Sequence, residues 1–264
     1  MSSGDYTDRC KEDQIIMKTY LVSGAGSGIG KAIVEKLASE GNTCLLLGRN
    51  LQNLQNTVSG LRGDHLLINA DIRSIESMEA AVLALNISAI DGIIANSGIG
   101  GENYFGPDDR WNDIINTNLT GTYNTVNTFL PLLRNSACEF KHIVITSSVL
   151  ARLGVANYSA YCASKAGLLG LMRSWAIEFA PEKILVNAIC PGWVDTQMSQ
   201  DGMEGIAAGI GISKDELHAM AMQSVPLGKM SQPEELAALM SYLLNQHSIT
   251  GQAIDINNGA VMNS

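Results

Sequence analysis

Short runs of apolar, β-branched residues alternate along this chain with longer stretches of helical character. The first run leads straight into a glycine-rich turn, and later runs end in hydroxyl, amide and proline-glycine residues. These three observations predict an α/β protein: a doubly wound, mostly parallel sheet in a single domain, with a ligand crevice at the carboxyl ends of the strands. At 264 residues and 46% hydrophobic, the chain can bury a sizeable core. No Pro/Ser-rich linker or break in composition divides it.

The elements follow in order. Met1 to Asp13 is polar, without the apolar stretch of a signal peptide, and residues 1–16 read as a flexible tail before a domain of residues 17–264. Residues 18–23 form the first strand. Gly24-Ala-Gly26-Ser27-Gly28-Ile29-Gly30 comes next and opens a helix to about Glu40. In that position glycines let the backbone approach a pyrophosphate, while the helix N-terminus offers free N–H groups and a positive dipole end. A loop of this kind taken alone could be a mere turn; the strand before it and the helix after it favour phosphate.

Thr43 to Leu47 is the second strand, ending at Gly48-Arg49-Asn50. An NAD enzyme usually has a carboxylate there for the ribose 2′-hydroxyl, whereas a guanidinium pairs a 2′-phosphate. Gly48 and Arg49 therefore point to NADP(H) rather than NAD(H), the bland alternative being an arginine on a surface turn. Leu66 to Ala70 is the third strand, followed by Asp71-Ile72, with Ser74 the better cap for the next helix. Asp91 to Ala95 is the fourth and leads into Asn96-Ser97-Gly98. Pro107 to about Arg134 reads as one long helix around Asn118, a residue unfavourable in mid-helix by propensity.

Ile143 to Ser148 is a buried strand ending in hydroxyls, and the loop Val149 to Ala156 leads to a helix that ends near Ala180-Pro181. On that helix Tyr161 and Lys165 stand four residues apart, hence on one face. An ammonium beneath a phenol favours the ionised form. Ile184 to Cys190 is the next strand, running into Pro191-Gly192-Trp193-Val194-Asp195-Thr196. Residues 197–224 fit no strand, and methionines and isoleucines (Met198, Met203, Ile206, Met220) alternate there with glycines. Methionines make a deformable apolar wall and glycines permit lid motion; two small amphipathic helices packed on the body would satisfy the same pattern. Pro233 starts a helix to about Asn245, and Ile249 to Ile256 is the last strand.

Taken together, these motifs resemble the short-chain dehydrogenase/reductase family over roughly residues 17–260, in the family's order. Ser23 replaces the threonine of its glycine motif, and Ala95 and Ser97 depart from its Asn-Asn-Ala-Gly. The resemblance implies a Rossmann-type fold with Asn118, Ser148, Tyr161 and Lys165 as the catalytic set. It places Gly24, Ser27, Gly28, Ile29 and Gly30 on the cofactor phosphates, Arg49 and Asn50 at the ribose, and Asp71 and Ile72 at the adenine. Pro191, Gly192, Val194 and Thr196 fall on the nicotinamide side with Tyr161 and Lys165, and Asn96 and Gly98 keep the amide and tight turn of the cofactor site. The 197–224 segment would cover the substrate, bringing Met198, Met203 and Ile206 to Ser148 and Tyr161.

The implied activity is hydride transfer between NADP(H) and a ketone or secondary alcohol. Similarity to 3-oxoacyl-acyl-carrier-protein reductases makes a 3-oxoacyl thioester the alternative substrate, although Glu178, Pro181 and Glu182 end the tyrosine helix where an acidic carrier would need basic partners. A cofactor-binding regulator without catalysis is the alternative of another class. The resemblance also implies a homotetramer, with a dimer as the lesser option. Leu168, Leu169, Leu171, Met172, Trp175 and Phe179 suggest a surplus apolar face on the tyrosine helix.

Composition sets the remaining bounds. A net charge of −9 with pI near 4.9 disfavours a nucleic-acid partner. No apolar run is long enough to span a membrane. Cys10, Cys44, Cys138, Cys162 and Cys190 are odd in number and widely spaced, which suggests reduced thiols in the cytoplasm rather than a disulfide framework. The scattered histidines suggest no metal site.

Overall fold

A computed structural model describes residues 17–262; the expected tail of residues 1–16 lies outside the described residues. Seven parallel strands form one sheet: β1 (Thr19–Ser23), β2 (Thr43–Gly48), β3 (Leu66–Asn69), β4 (Gly92–Ala95), β5 (Lys141–Thr146), β6 (Ile184–Pro191) and β7 (Ala253–Ile256), in the order β3-β2-β1-β4-β5-β6-β7. Strand order reverses between β1 and β4, the switch point where such sheets open a crevice.

The five inner strands, β1, β2, β4, β5 and β6, are buried on both faces, so they read as continuous apolar runs rather than alternating ones. One face is covered by α1 (Gly28–Ser39), α2 (Leu51–Val58) and α9 (Pro233–Leu243), whose Ile33, Leu37, Leu54, Leu236 and Met240 pack on Tyr20, Leu46 and Val144. On the other face lie α3 (Ile75–Ala84), α5 (Gly121–Arg134) and α6 (Ser159–Glu178), with Met78, Phe129, Leu168 and Trp175 against Leu45, Ile93 and Ile143. Two further helices, α7 (Gln197–Ile210) and α8 (Lys214–Gln223), form a cap after β6 with its own small core of Met203, Met222, Val225 and Met230.

Several boundaries differ from expectation for local reasons. The expected helix from Pro107 begins only at Trp111, because the Asp109 carboxylate accepts from the Trp111 N–H (3.0 Å) and ends the loop there. It then divides into α4 (Trp111–Ile115), one π turn (Asn116–Thr120) and α5. Asp91 stays outside β4, its carboxylate accepting from the Thr19 N–H (2.8 Å). The last strand starts at Ala253 rather than Ile249, since the Ile249 carbonyl is taken by the Asn187 side chain (2.7 Å). Leu168, Leu169, Met172, Trp175 and Phe179 are buried in the sheet core of this one chain, and Leu171 is half-buried against it, so the six do not form a separate exposed face. The large apolar side chains left exposed on α5 and α6 are Tyr123 and Ile177.

Candidate active site

A cleft of about 640 Å³ runs along the carboxyl ends of the strands. At one end lies the turn from β1 to α1. Gly24 has φ +67°, and a Cβ on Gly30 would stand 2.1 Å from the Gly24 carbonyl oxygen, so only glycine fits that crossing. The Ser23 hydroxyl accepts from the N–H groups of Asn96 and Ser97 (both 3.0 Å), tying β1 to the loop after β4.

Arg49 and Asn50 stand on the cleft at the end of β2, where Asn69 Nδ2 donates to the Gly48 and Arg49 carbonyls (3.2 and 2.8 Å). Asn50 also caps α2 through the Asn53 N–H (3.1 Å). Arg49 makes no ion pair among the described residues. The Asp71 carboxylate beside it is held below the usual carboxylate range, first by its hydrogen bonds from Arg73. Ser74 caps α3, its hydroxyl accepting from the Ser77 N–H (3.1 Å), which leaves Asp71 and Ile72 on the cleft wall.

Asn118 sits fully buried in the π turn. Its amide accepts from the Ile99 N–H (2.8 Å) and donates to the Ile99 carbonyl (2.9 Å) and to Ser164 Oγ (3.1 Å). A single π turn inside a longer helix is rare and is found mostly at functional sites, and here it coincides with the residue that bridges to the loop at Ile99. Asn96 accepts from the Thr146 hydroxyl (3.0 Å), joining β4 to β5 just before Ser148.

At the other end of the cleft Ser148, Tyr161 and Lys165 converge. Lys165 Nζ lies 5.6 Å from the centre of the Tyr161 ring and donates to the Thr146 carbonyl (3.0 Å). Burial pulls the Lys165 ammonium down to about 8. The Tyr161 phenol is raised above its ordinary value, chiefly by burial, with the hydrogen bond to Ser148 pulling the other way. Here the expectation of a lowered phenol is corrected: desolvation of the buried ring, which disfavours the phenolate, outweighs the hydrogen bond with Ser148. The consequence is a phenol that keeps its proton at neutral pH.

Gly98, Pro191, Gly192, Val194 and Thr196 line the same cleft, and Thr196 caps α7 through the Ser199 N–H (3.3 Å). Of the expected substrate residues, Met198 borders the cleft. Met203 does not: it is fully buried in the cap's own core, on the face of α7 turned to Met222 and Met230. Ile206 follows it on α7, half-buried and off the cleft.

Three cleft residues escaped the sequence. Thr146 acts through its backbone carbonyl, which carries no side-chain signature; Ile99 does so toward Asn118 through both backbone groups. Thr117 Oγ1 is buried on the wall without a hydrogen-bond partner among the described residues. A polar atom left unpaired in a cleft wall and the N-terminus of α1 opening onto the same cleft both fit a polar, anionic ligand such as a dinucleotide.

A parallel doubly wound sheet with a glycine turn at its switch point and a Ser-Tyr-Lys set across the cleft defines a dinucleotide-dependent oxidoreductase. The short chain dehydrogenase family model matches residues 18–207. Among curated proteins, the chain is 32% identical over 253 residues to the 3-oxoacyl-acyl-carrier-protein reductase FabG of Vibrio harveyi, covering 93% of this chain and 98% of that one. Among solved structures, a single-residue variant of actinorhodin polyketide ketoreductase with NADPH superposes with a TM-score of 0.86 at 30% identity, over 93% of this chain and 98% of that one. Levodione reductase follows at 0.85 and 27%, over 92% and 96%. The chain belongs to the short chain dehydrogenase family.

Proposed function

We propose that the protein is an NADP(H)-dependent reductase of small, neutral ketones, or the dehydrogenase of the corresponding secondary alcohols. The observation that carries this reading is the convergence of Ser148, Tyr161 and Lys165 on one cleft with Arg49 at its far end. Arg49 would hold the 2′-phosphate, the β1–α1 turn the pyrophosphate, and Lys165 the nicotinamide ribose. When bound, the cofactor supplies the hydride.

The rest is the work of this chain's own side chains. Ser148 donates to the carbonyl oxygen and orients it toward Tyr161. A phenol whose value burial raises stays protonated at neutral pH, the form that can give its proton to that oxygen as charge develops there. Lys165 steadies the phenolate left behind, and its Nζ stays aimed by the Thr146 carbonyl. Asn118 fixes the loop at Ile99 that walls the site.

The charged residues on the cleft are Arg49, Asp71 and Lys165. The first two stand at the ribose and adenine end and the third beneath the phenol, so Ile99, Met198 and Ser199 offer a ketone no charge to pair. α7 and α8 act as a lid over this end. Neutral ketones are therefore preferred over keto acids. The comparison with FabG supports a 3-oxoacyl thioester as a second substrate class. Against a carrier-bound thioester, Arg134 is already paired with Glu182 (2.7 Å) and Lys183 with Glu139 (2.8 Å) near the end of α6. We further propose a homotetramer, with Tyr123 of α5 and Ile177 of α6 covered by another copy, and a cytoplasmic location suited to the free thiols. Kinetics with NADPH on neutral and anionic ketones of matched size test the central reading. A preference for the neutral member supports it, and turnover of the anion alone overturns it.

A further inference from the structure

The helix that carries Tyr161 has no cap of its own. Tyr158 stands at the cap position with no side-chain bond to the first turn, although Ser159, Ala160 and Tyr161 there need N–H partners. The missing acceptor comes from a distant loop. Asn103 Oδ1 accepts from the Ala160 N–H (2.9 Å) and from the Ser159 hydroxyl (3.2 Å).

Asn103 is also held from every other side. Its N–H donates to the carbonyl of Asn157 (2.7 Å), a residue with a left-handed φ of 63°. Its Nδ2 donates to Asp109 Oδ1 (3.2 Å), which itself accepts from the Trp111 N–H at the start of α4. Asn103 is 5% exposed, whereas its neighbours Tyr104 and Phe105 are 56% and 96% exposed. A buried amide that accepts two hydrogen bonds and donates a third, beside two solvated aromatics, is placed there for its bonds, not for its packing.

The loop it belongs to starts at Asn96, lines the cleft through Gly98 and Ile99, and receives Asn118 at Ile99. Asn103 therefore joins the nicotinamide-side wall directly to the first turn of the tyrosine helix. We infer that Asn103 is a positioning residue for Tyr161: by capping α6 from the β4 loop it sets the phenol's distance and angle to whatever the loop holds. The inference rests on Tyr161 as the proton donor. A frayed first turn would swing the phenol by an ångström or so, and misplacements of that size can cost up to about 10²-fold in rate.

The test compares N103A, N103D, the exchange pair N103D/D109N and Y161F as purified full-length enzymes. N103A should lower kcat about tenfold or more while the Kd for NADPH, read by fluorescence titration, changes by less than about threefold. N103D alone sets two carboxylates against each other and should recover little. N103D/D109N restores an amide facing a carboxylate in the reverse sense, keeps acceptors for Ala160 and Trp111, and should bring kcat back to within about threefold of the parent. If N103A does not fold, the comparison of N103D with the exchange pair decides alone. A kcat for N103A within about twofold of the parent, or an exchange pair no better than N103D, overturns the inference. An inactive Y161F beside an active N103A sinks the cap alone; an active Y161F sinks the Tyr161 reading as well.

Discussion

Removing the Asn118 amide should destabilise the whole domain as well as the site. Asn118 is fully buried and makes three hydrogen bonds, with the Ile99 N–H, the Ile99 carbonyl and Ser164 Oγ. A typical buried hydrogen bond contributes about 1 kcal/mol net, and orphaned buried partners raise the cost. Asn118→Ala should therefore cost about 3 kcal/mol. For a domain of this size each kcal/mol moves the melting midpoint by roughly 2–4 °C, so a drop of roughly 6–12 °C is expected by differential scanning fluorimetry. Asn118→Asp separates bonding from size: it can still accept from Ile99 but presents a carboxylate to the Ile99 carbonyl, so it should melt no higher than the alanine variant. A shift of under about 2 °C in Asn118→Ala would refute the claim that this amide holds the loop to the π turn.

Reversing charge at the end of β2 with Arg49→Asp should shift the NADPH/NADH preference in kcat/KM by about tenfold or more toward NADH, and an unaltered protein that already prefers NADH would remove the basis for this. Burial pulls His142 down to about 4, against 6.5 unfolded. In that window the unfolded chain binds the extra proton, so stability present above pH 6.5 is lost as pH falls toward 4, by about 3 kcal/mol in all. Urea midpoints for the parent and His142→Phe at about pH 7 and about pH 4.5 check this, and an equal acid loss in both would contradict it. Met198→Lys should penalise apolar ketones while sparing NADPH affinity, because Met198 borders the cleft. Met203→Lys should instead lower the melting midpoint, since it buries an ammonium in the cap core; equal effects of the two on ketone selectivity would argue against the assigned places.

Much of this molecule could be read from residue types alone, and the reasons differ by region. Strands buried on both faces write themselves as apolar runs, so Leu45, Ile93 and Ile143 announced the sheet. Side chains with narrow chemistry, such as Tyr161, Lys165 and Arg49, did the same for the cleft. What stayed hidden depends on distance in sequence or on backbone groups. The Thr146 carbonyl under Lys165 looks like any other carbonyl, and Asn103 reaches a helix more than fifty residues away. Met203 and Met198 both read as apolar lid residues, and only their positions around α7 separate the cap core from the cleft wall. α4 starts at Trp111 rather than at Pro107 because the Asp109 carboxylate, not the proline, takes the first free N–H.

The most direct test of the account is Tyr161→Phe, measured for NADPH-dependent reduction of a neutral ketone alongside NADPH affinity. The ring keeps its packing but has no proton to give, and general acid catalysis is worth on the order of 10² to 10⁴ in rate. The account predicts a loss of kcat of that order with the Kd for NADPH within about threefold of the parent. Near-normal turnover by Tyr161→Phe would contradict it.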